Sequence, residues 1–351
     1  MISSICIYGI TFLWSTILFA LFQKISSKKC FLAYFILILS VVPPVVIFCL
    51  RGYSVGWDTK RYVPIYNHIK GMTLGTYLRE QKTDINCRFE LGYYFLNRIS
   101  YLIYDSYRTV MFFSVTIMLL FAYKVFISVK KYRYTYIAVF IYYITVYTQG
   151  MDVIRFSIGC SICMLAFLKL INKKNGSFIF YIILASFFQK IFIVFLIYIC
   201  LIEFKKDKLN KIRDIIYYLC IVLSPIILPL GFGILSRVQS FSYYFNYYQI
   251  DYSAGGVGFL KDVIPLIPIT YLYYRNVKNY KGVKTLYNIS LSTIPLCYLA
   301  YFVTSAVRMK RVSYLSWLFL IPIILEHLDH PKYKKVILIY YVIVFLLYYV
   351  F

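Results

Sequence analysis

Residues 173–213 read KKNGSFIFYIILASFFQKIFIVFLIYICLIEFKKDKLNKIR. Lysines accumulate in the cytoplasmic loops of membrane proteins. Lys173 and Lys174 on one flank, and Lys205, Lys206, Lys208, Lys211 and Arg213 on the other, therefore place both ends of one apolar stretch on the same side. A helical span needs about 20 apolar residues, so residues 177–202 are too few for two crossings. The stretch reads as a broken hairpin with its tip near Gln189 and Lys190. Irregular backbone at membrane depth survives only when buried in protein or lining a watery cavity. A cavity open to the far side is the expectation.

Outward from this hairpin, apolar runs recur at 3–22, 31–50, 109–127, 134–149, 151–171, 214–235, 259–275, 285–306, 311–327 and 336–351. With 62% apolar residues and a mean hydropathy of +0.73, the chain is an all-α polytopic membrane protein of about ten transmembrane helices. Met1–Phe22 lacks a basic start and a small-residue cleavage pattern, so it reads as the first span and not as a removable signal. Lys24, Lys28 and Lys29 put the first connection in the cytoplasm, which leaves 51–108 and 236–258 as outer loops. The Tyr-rich stretch 91–104 is too short to cross and reads as a re-entrant or interfacial helix. No stretch between spans is long enough for a core of its own, so residues 1–351 read as one integral membrane domain.

The net charge of +25 is spread over short loops and helix ends, which points to topology and anionic lipid rather than to nucleic acid. Seventeen lysines fall in cytoplasmic loops on this topology. Arginine does the opposite. Only Arg133, Arg213 and Arg275 are cytoplasmic, whereas Arg51, Arg61, Arg79, Arg88, Arg98, Arg108, Arg155, Arg237, Arg308 and Arg311 face out. Both cations count toward orientation, so this split asks for another cause. A planar, permanently charged fork is what phosphate recognition uses.

Three places could carry that chemistry. Arg51-Gly52-Tyr53-Ser54-Val55-Gly56-Trp57-Asp58-Thr59 follows a span directly. Its glycines suit either a ligand-cradling turn or an ordinary interfacial one anchored by Trp57. Arg155 lies one turn inside the run 151–171, with Asp152 three residues earlier as its local ion-pair partner. Arg308, Lys310 and Arg311 read as a cationic turn between two spans, suited to pyrophosphate or to lipid headgroups. The aromatic run Phe241–Tyr248 suits sugar stacking or an interfacial belt equally.

Other chemistries are disfavoured by what is missing. The outer face has no Asp-x-Asp pair and a single histidine, His68, so a divalent metal site is not expected there and no cofactor is assigned. Glu326, His327, Asp329 and His330 read as a solvated helix end. The nine cysteines, including the mid-helix Cys160 and Cys163, read as small apolar residues, with Cys87 alone in an outer loop. No nucleophile elbow and no phosphate-binding loop motif occurs.

Arg51, Val55-Gly56-Trp57-Asp58-Thr59 and Tyr62 resemble the first outer loop of the EpsG family, polytopic polysaccharide-biosynthesis proteins related to Wzy O-antigen polymerases. Glu90-Leu91-Gly92-Tyr93, Ile154-Arg155 and Arg311-Val312-Ser313-Tyr314 resemble its later motifs, so the likeness runs from about 51 to 320. Two positions depart from it: Phe156 stands where the family carries Gln, and Gln189 precedes Lys190 where the family carries His. An amide does not titrate, so Gln189 can replace that histidine as a hydrogen-bonding group but not as a proton carrier.

The resemblance implies a GT-C-like polymerase in the bacterial inner membrane. It would transfer glycan from an undecaprenyl-pyrophosphate-linked oligosaccharide to a second lipid-linked unit, with a chain-length regulator and a flippase of the same pathway as candidate partners. Such a reaction needs the departing pyrophosphate neutralised, and with no metal motif in sight arginine is the available means. The expected catalytic residues are Arg155 and Arg311 at the pyrophosphate, with Asp58 or Glu90 as base. Arg51, Arg88, Arg308, Gln189, Lys190 and Tyr314 are expected to bind substrate. A flippase of an anionic lipid-linked glycan would also want outer arginines, but it usually shows internal repeats, and none is evident. A membrane acyltransferase would want an embedded histidine, which this chain lacks.

Overall fold

A computed structural model of the chain describes residues 2–26, 31–52, 55–56, 58–81, 83–84, 87–201, 207–235, 263–278, 280, 282–300 and 304–349. The expectations for Cys30, Trp57, Arg237 and the loop 236–258 lie outside the described residues. Every described element is helical. Four helices are long and apolar enough to cross a membrane: Cys6–Ile25, Phe31–Leu50, Tyr107–Ser128 and Ile154–Ile171. The chain is a membrane protein built of helices, and it divides into two compact units.

The first unit comprises Met1–Leu168, Gly176–Ile193 and Phe345–Phe351. Its elements are α1 (Ile2–Ile25), α2 (Phe31–Leu50), α3 (Thr59–Ile69), α4 (Leu74–Glu80), α5 (Leu91–Ile103), α6 (Tyr107–Ser128), α7 (Thr135–Tyr142), α8 (Thr148–Asp152), and all but the facing ends of α9 (Ile154–Ile171) and α10 (Asn175–Ser186). Helix α9 is the centre, 83% buried along its apolar window, against 22% for α2. The apolar face of α2 therefore looks outward, toward lipid.

Pro43 and Pro44 interrupt the α2 backbone ladder, because proline offers no N–H. The neighbours satisfy what is freed, as membrane depth requires. Pro44 frees the Ser40 carbonyl, and Tyr123 Oη donates to it at 3.4 Å; one turn on, Tyr147 Oη donates to the Pro44 carbonyl at 2.6 Å. Tyr147 reaches that carbonyl from a π-helical turn, Tyr143–Tyr147, between α7 and α8.

The described residues between 51 and 108 are largely helical. They fold into α3, α4 and α5. In α5, Tyr93, Tyr94, Leu96, Asn97 and Ser100 point inward, whereas Phe95, Ile99, Leu102 and Ile103 are exposed. That one-sided pattern over 13 residues, about 20 Å of helix, suits a helix lying at an interface and is too short for a crossing. The broken stretch is broken as expected: α10 stops at Ser186, Phe187–Gln189 form a turn, and a 3₁₀ helix runs from Lys190 to Leu201.

The second unit comprises Lys169–Asn175 and Val194–Val344. It holds α11 (Asp207–Leu235), α12 (Leu266–Leu272), α13 (Val283–Leu291), α14 (Thr293–Ala300), α15 (Thr304–Ser313), α16 (Trp317–Glu326) and α17 (Pro331–Tyr349). Helix α16 is buried on every side except at Glu326, so it is the core element. Tyr273 and Tyr287 stack at 4.0 Å, and Asp214 is held by both Arg213 and Lys284.

Two readings are corrected here. Arg308, Lys310 and Arg311 do not form a turn: they lie in α15, because Ala306, Met309 and the cations themselves are helix formers and no Gly or Pro intervenes. Arg155 is not one turn inside a helix. Val153 leaves helical geometry (φ −115°, ψ 68°), so α9 restarts at Ile154 and Arg155 is its second residue.

Candidate functional site

Four stretches far apart in sequence converge within the first unit, and Arg155 stands where they meet. Its guanidinium Nη1 donates to Glu90 Oε2. The partner is thus a carboxylate 65 residues away, not Asp152 on the preceding turn. The other Glu90 oxygen accepts from the Lys190 backbone N–H at 3.2 Å. One carboxylate therefore ties the start of α9 to the break after α10. The Phe89 ring lies under the guanidinium at 4.4 Å, with Tyr93 at 5.8 Å, and the Tyr62 ring packs against Tyr93 at 5.4 Å. Arg155 and Glu90 keep only 15% and 13% side-chain exposure, so the pair sits in a shielded, largely aromatic setting.

Two glycines show why the sequence folds this way locally. The Gly92 N–H donates to the Phe187 carbonyl at 2.8 Å, and a Cβ at residue 92 would lie 2.6 Å from that same oxygen. Only glycine lets the strand of chain carrying Glu90 approach the broken segment so closely. Gly56 takes a left-handed φ of +91°, and a Cβ there would lie 2.0 Å from the Met151 carbonyl oxygen. Thr59 Oγ1 donates to that same carbonyl at 3.0 Å. The loop after α2 is in this way fastened to the end of α8, just ahead of Arg155.

Arg51 is buried at this fastening, 5% exposed, with Nη2 donating to Thr59 Oγ1 at 3.3 Å and the guanidinium over the Phe48 ring at 4.2 Å. Burial pulls its pKa below the ordinary arginine value, opposed by nearby tyrosines and Asp152. Buried polar atoms are nearly always partnered. Among the described residues, Arg51 Nε and Nη1, Arg155 Nε and Gln189 Oε1 are buried without a hydrogen-bond partner. Three donors and an acceptor gathered on this set of elements are what a polar ligand would use.

The structure thus brings together Glu90, Arg155 and the Gln189-Lys190 turn, with Arg51 on the adjoining latch. Asp58 precedes α3, and its backbone carbonyl accepts from Tyr62 N–H at 3.0 Å. Arg88 is exposed beside Phe89. Arg308, Arg311 and Tyr314 belong to the second unit. There Tyr314 stacks on Trp317 at 4.5 Å, and among the described residues neither Arg308 nor Arg311 has a carboxylate partner. Met309, between them on α15, lines an apolar hollow of 710 Å³ with Val194, Ile197, Leu209, Ile216 and Leu296.

Sequence reasoning missed Phe89, because a single aromatic next to an acid has no periodicity to flag it. It also did not foresee what Phe156 does. That ring is fully buried and stacks on Phe192 at 5.5 Å, while Gly159 makes room for the same Phe192 ring. Where the resemblance would carry an amide, this chain packs the broken segment onto α9.

The sequence profile of the EpsG family matches residues 34–351. Neither a curated protein nor a solved structure matches the chain.

Proposed function

The chain belongs to the EpsG family, a family of Wzy-like polysaccharide polymerases, and from that premise we propose that it polymerises lipid-linked oligosaccharide repeat units at the outer face of the bacterial inner membrane. The donor is a glycan on undecaprenyl pyrophosphate, and the acceptor is a sugar hydroxyl of a second lipid-linked unit. The bond from the anomeric carbon to the pyrophosphate oxygen breaks, and a bond to the acceptor oxygen forms. The acceptor proton passes to a carboxylate.

Charge develops on the departing pyrophosphate, so fixed cations there lower the barrier. Arg308 and Arg311 suit that task, since no carboxylate competes for them among the described residues. The 710 Å³ apolar hollow beside Met309 suits a polyprenyl tail attached to the same headgroup. Within the first unit, Arg155 and Glu90 suit an acceptor hydroxyl: Arg155 orients Glu90, and Glu90 or Asp58 takes the proton. Gln189 offers its unpartnered Oε1 to a sugar hydroxyl. Arg51 and Arg88 are assigned to the acceptor's own phosphate.

The observation that carries this reading is the meeting of Glu90, Arg155 and the Gln189-Lys190 break in one shielded ion pair, just after the point where the loop following α2 is latched to α8. The test is the surface glycan of a strain deleted for this gene. A single repeat unit per lipid core, restored to a ladder by the wild type but not by Arg155→Ala, supports polymerisation. Loss of every unit would instead favour translocation.

A further inference from the structure

The helical cap α3–α4 assembles a set of donors that no sequence motif announces. His68 stands on the last turn of α3 and Glu80 ends α4. The chain then turns back on itself, with Asp84 N–H on the Glu80 carbonyl at 2.8 Å and Cys87 N–H on the Asp84 carbonyl at 3.2 Å. These bonds bring Glu80, Asp84 and Cys87 to one point facing His68. One ligand atom from each of the four lies within 4.8 Å of all the others. His68 Nε2 is 2.6 Å from Asp84 Oδ2 and 3.9 Å from Glu80 Oε2, and Cys87 Sγ is 3.8 Å from Glu80 Oε2.

We propose that His68, Glu80, Asp84 and Cys87 bind one zinc ion as a structural site. Tetrahedral zinc takes bonds of about 2.0–2.3 Å to nitrogen, oxygen and sulfur, which holds ligand atoms roughly 3.3–3.8 Å apart: the 3.9 and 3.8 Å spacings of Glu80 to His68 and Cys87 fit nearly as they stand, and the 2.6 Å His68–Asp84 contact opens by about 0.7 Å to admit the ion. The donor chemistry selects among metals. Calcium and magnesium want oxygen alone, whereas one thiolate and one imidazole beside two carboxylates suit zinc. Cys87 is wholly buried, with the Met72 sulfur 3.9 Å away, while the His68, Glu80 and Asp84 side chains are 39%, 34% and 26% exposed. The thiol is thus fixed in the floor, and the ion enters from the open side. Four protein ligands leave no open position, so the role is to fasten and not to catalyse.

What it fastens matters to the site above. Phe89 and Glu90 follow Cys87 directly, and the Phe89 carbonyl accepts from Tyr77 Oη at 2.8 Å and Gln81 Nε2 at 2.6 Å, both on or next to α4. Zinc would hold α3, α4 and the turn as one piece and so set where Glu90 begins. A lone outer histidine and the absence of an Asp-x-Asp pair hide such a site from a motif reading. This set draws one residue of each kind from a 20-residue stretch.

The full-length protein, purified in detergent and stripped with chelator, is titrated with cobalt(II). The expected result is one equivalent bound, with the visible bands of tetrahedral cobalt and a near-ultraviolet thiolate charge-transfer band, both removed by zinc. Cys87→Ser should lose the charge-transfer band and bind cobalt at least about tenfold more weakly, and the double variant His68→Gln with Asp84→Asn should bind none. Where Cys87→Ser fails to fold, this double variant at part-exposed side chains carries the test. An absence of tetrahedral bands in the wild type, or an unchanged spectrum in a folded Cys87→Ser or double variant, overturns the proposal. It would leave a hydrogen-bonded His68–Asp84 cluster without a metal.

Discussion

Gly92→Ala tests the geometry of the site with one methyl group. That methyl would stand 2.6 Å from the Phe187 carbonyl oxygen, where ordinary contact begins at 3.4 Å, so the two backbones must part by about 0.8 Å. Both partners are backbone, so no side-chain rotation relieves the clash. The Gly92 N–H bond to Phe187 would be lost, at about 1 kcal/mol, and overpacking adds roughly 1–3 kcal/mol. The same parting would stretch the 3.2 Å contact between Lys190 N–H and Glu90 to about 4 Å, past hydrogen-bonding range. A misplacement near 1 Å can cost about a hundredfold in rate. The assay is the glycan ladder of a deletion strain carrying the variant, alongside immunoblots of its membranes. The variant should accumulate in the membrane yet make only short glycan, or fall in abundance with the same loss. Gly75→Ala is the matched control, because nothing lies within 4 Å of the added carbon. Its ladder should be unchanged. A wild-type ladder from Gly92→Ala at wild-type abundance would refute the claim that the break after α10 must be held against Glu90.

Arg155→Ala strands a shielded carboxylate and should cost about 3–5 kcal/mol, whereas Arg155→Met with Glu90→Leu should recover the thermal midpoint without recovering polymer. Glu90→Gln keeps a hydrogen-bonding side chain but loses the charge. It should abolish elongation while purified protein still binds undecaprenyl pyrophosphate, as read by a shift in melting temperature. Arg308→Ala and Arg311→Ala break no ion pair among the described residues, so stability should move by only about 0.5 kcal/mol while that carrier-induced shift disappears. Asp105, outside the spans, is held below its ordinary 3.8 by hydrogen bonds from Lys70 and Tyr66. A depressed carboxylate contributes above its unfolded value and loses that contribution as pH falls through the folded one. The melting difference between wild type and Asp105→Asn should therefore be flat above pH 3.8 and close only below it.

The helical membrane class was legible because apolar runs near 20 residues have few other uses. The break near Gln189 was legible because lysines on both flanks made a plain crossing inconsistent. Hydropathy could not show that Val153 would end one helix and Ile154 start the next, since both residues are as apolar as their neighbours. It also placed the cations of α15 in a turn because charge was taken to mean an exit from the membrane, while helix propensity ignores that boundary. The partner of Arg155 was out of reach. A carboxylate 65 residues away leaves no trace in local spacing, and Asp152 was the nearer candidate. The family resemblance did pick out Glu90 and Arg155 separately, but not that they touch.

The pairing itself argues for a division of work between the arginines. A pyrophosphate charge brought to about 4 Å from Glu90 would be repelled by roughly 4 kcal/mol at an effective dielectric near 20. That is about as much as Arg155 could offer it at the same range. A paired guanidinium is therefore a poor place for a leaving group and a good one for a neutral hydroxyl, which the carboxylate can accept from and the arginine can keep in line. Arg308 and Arg311, with no carboxylate among the described residues to answer them, give an anion their full attraction. On this reasoning a reaction with two lipid-linked substrates uses its arginines in two ways. Glu90 is the residue that marks the difference.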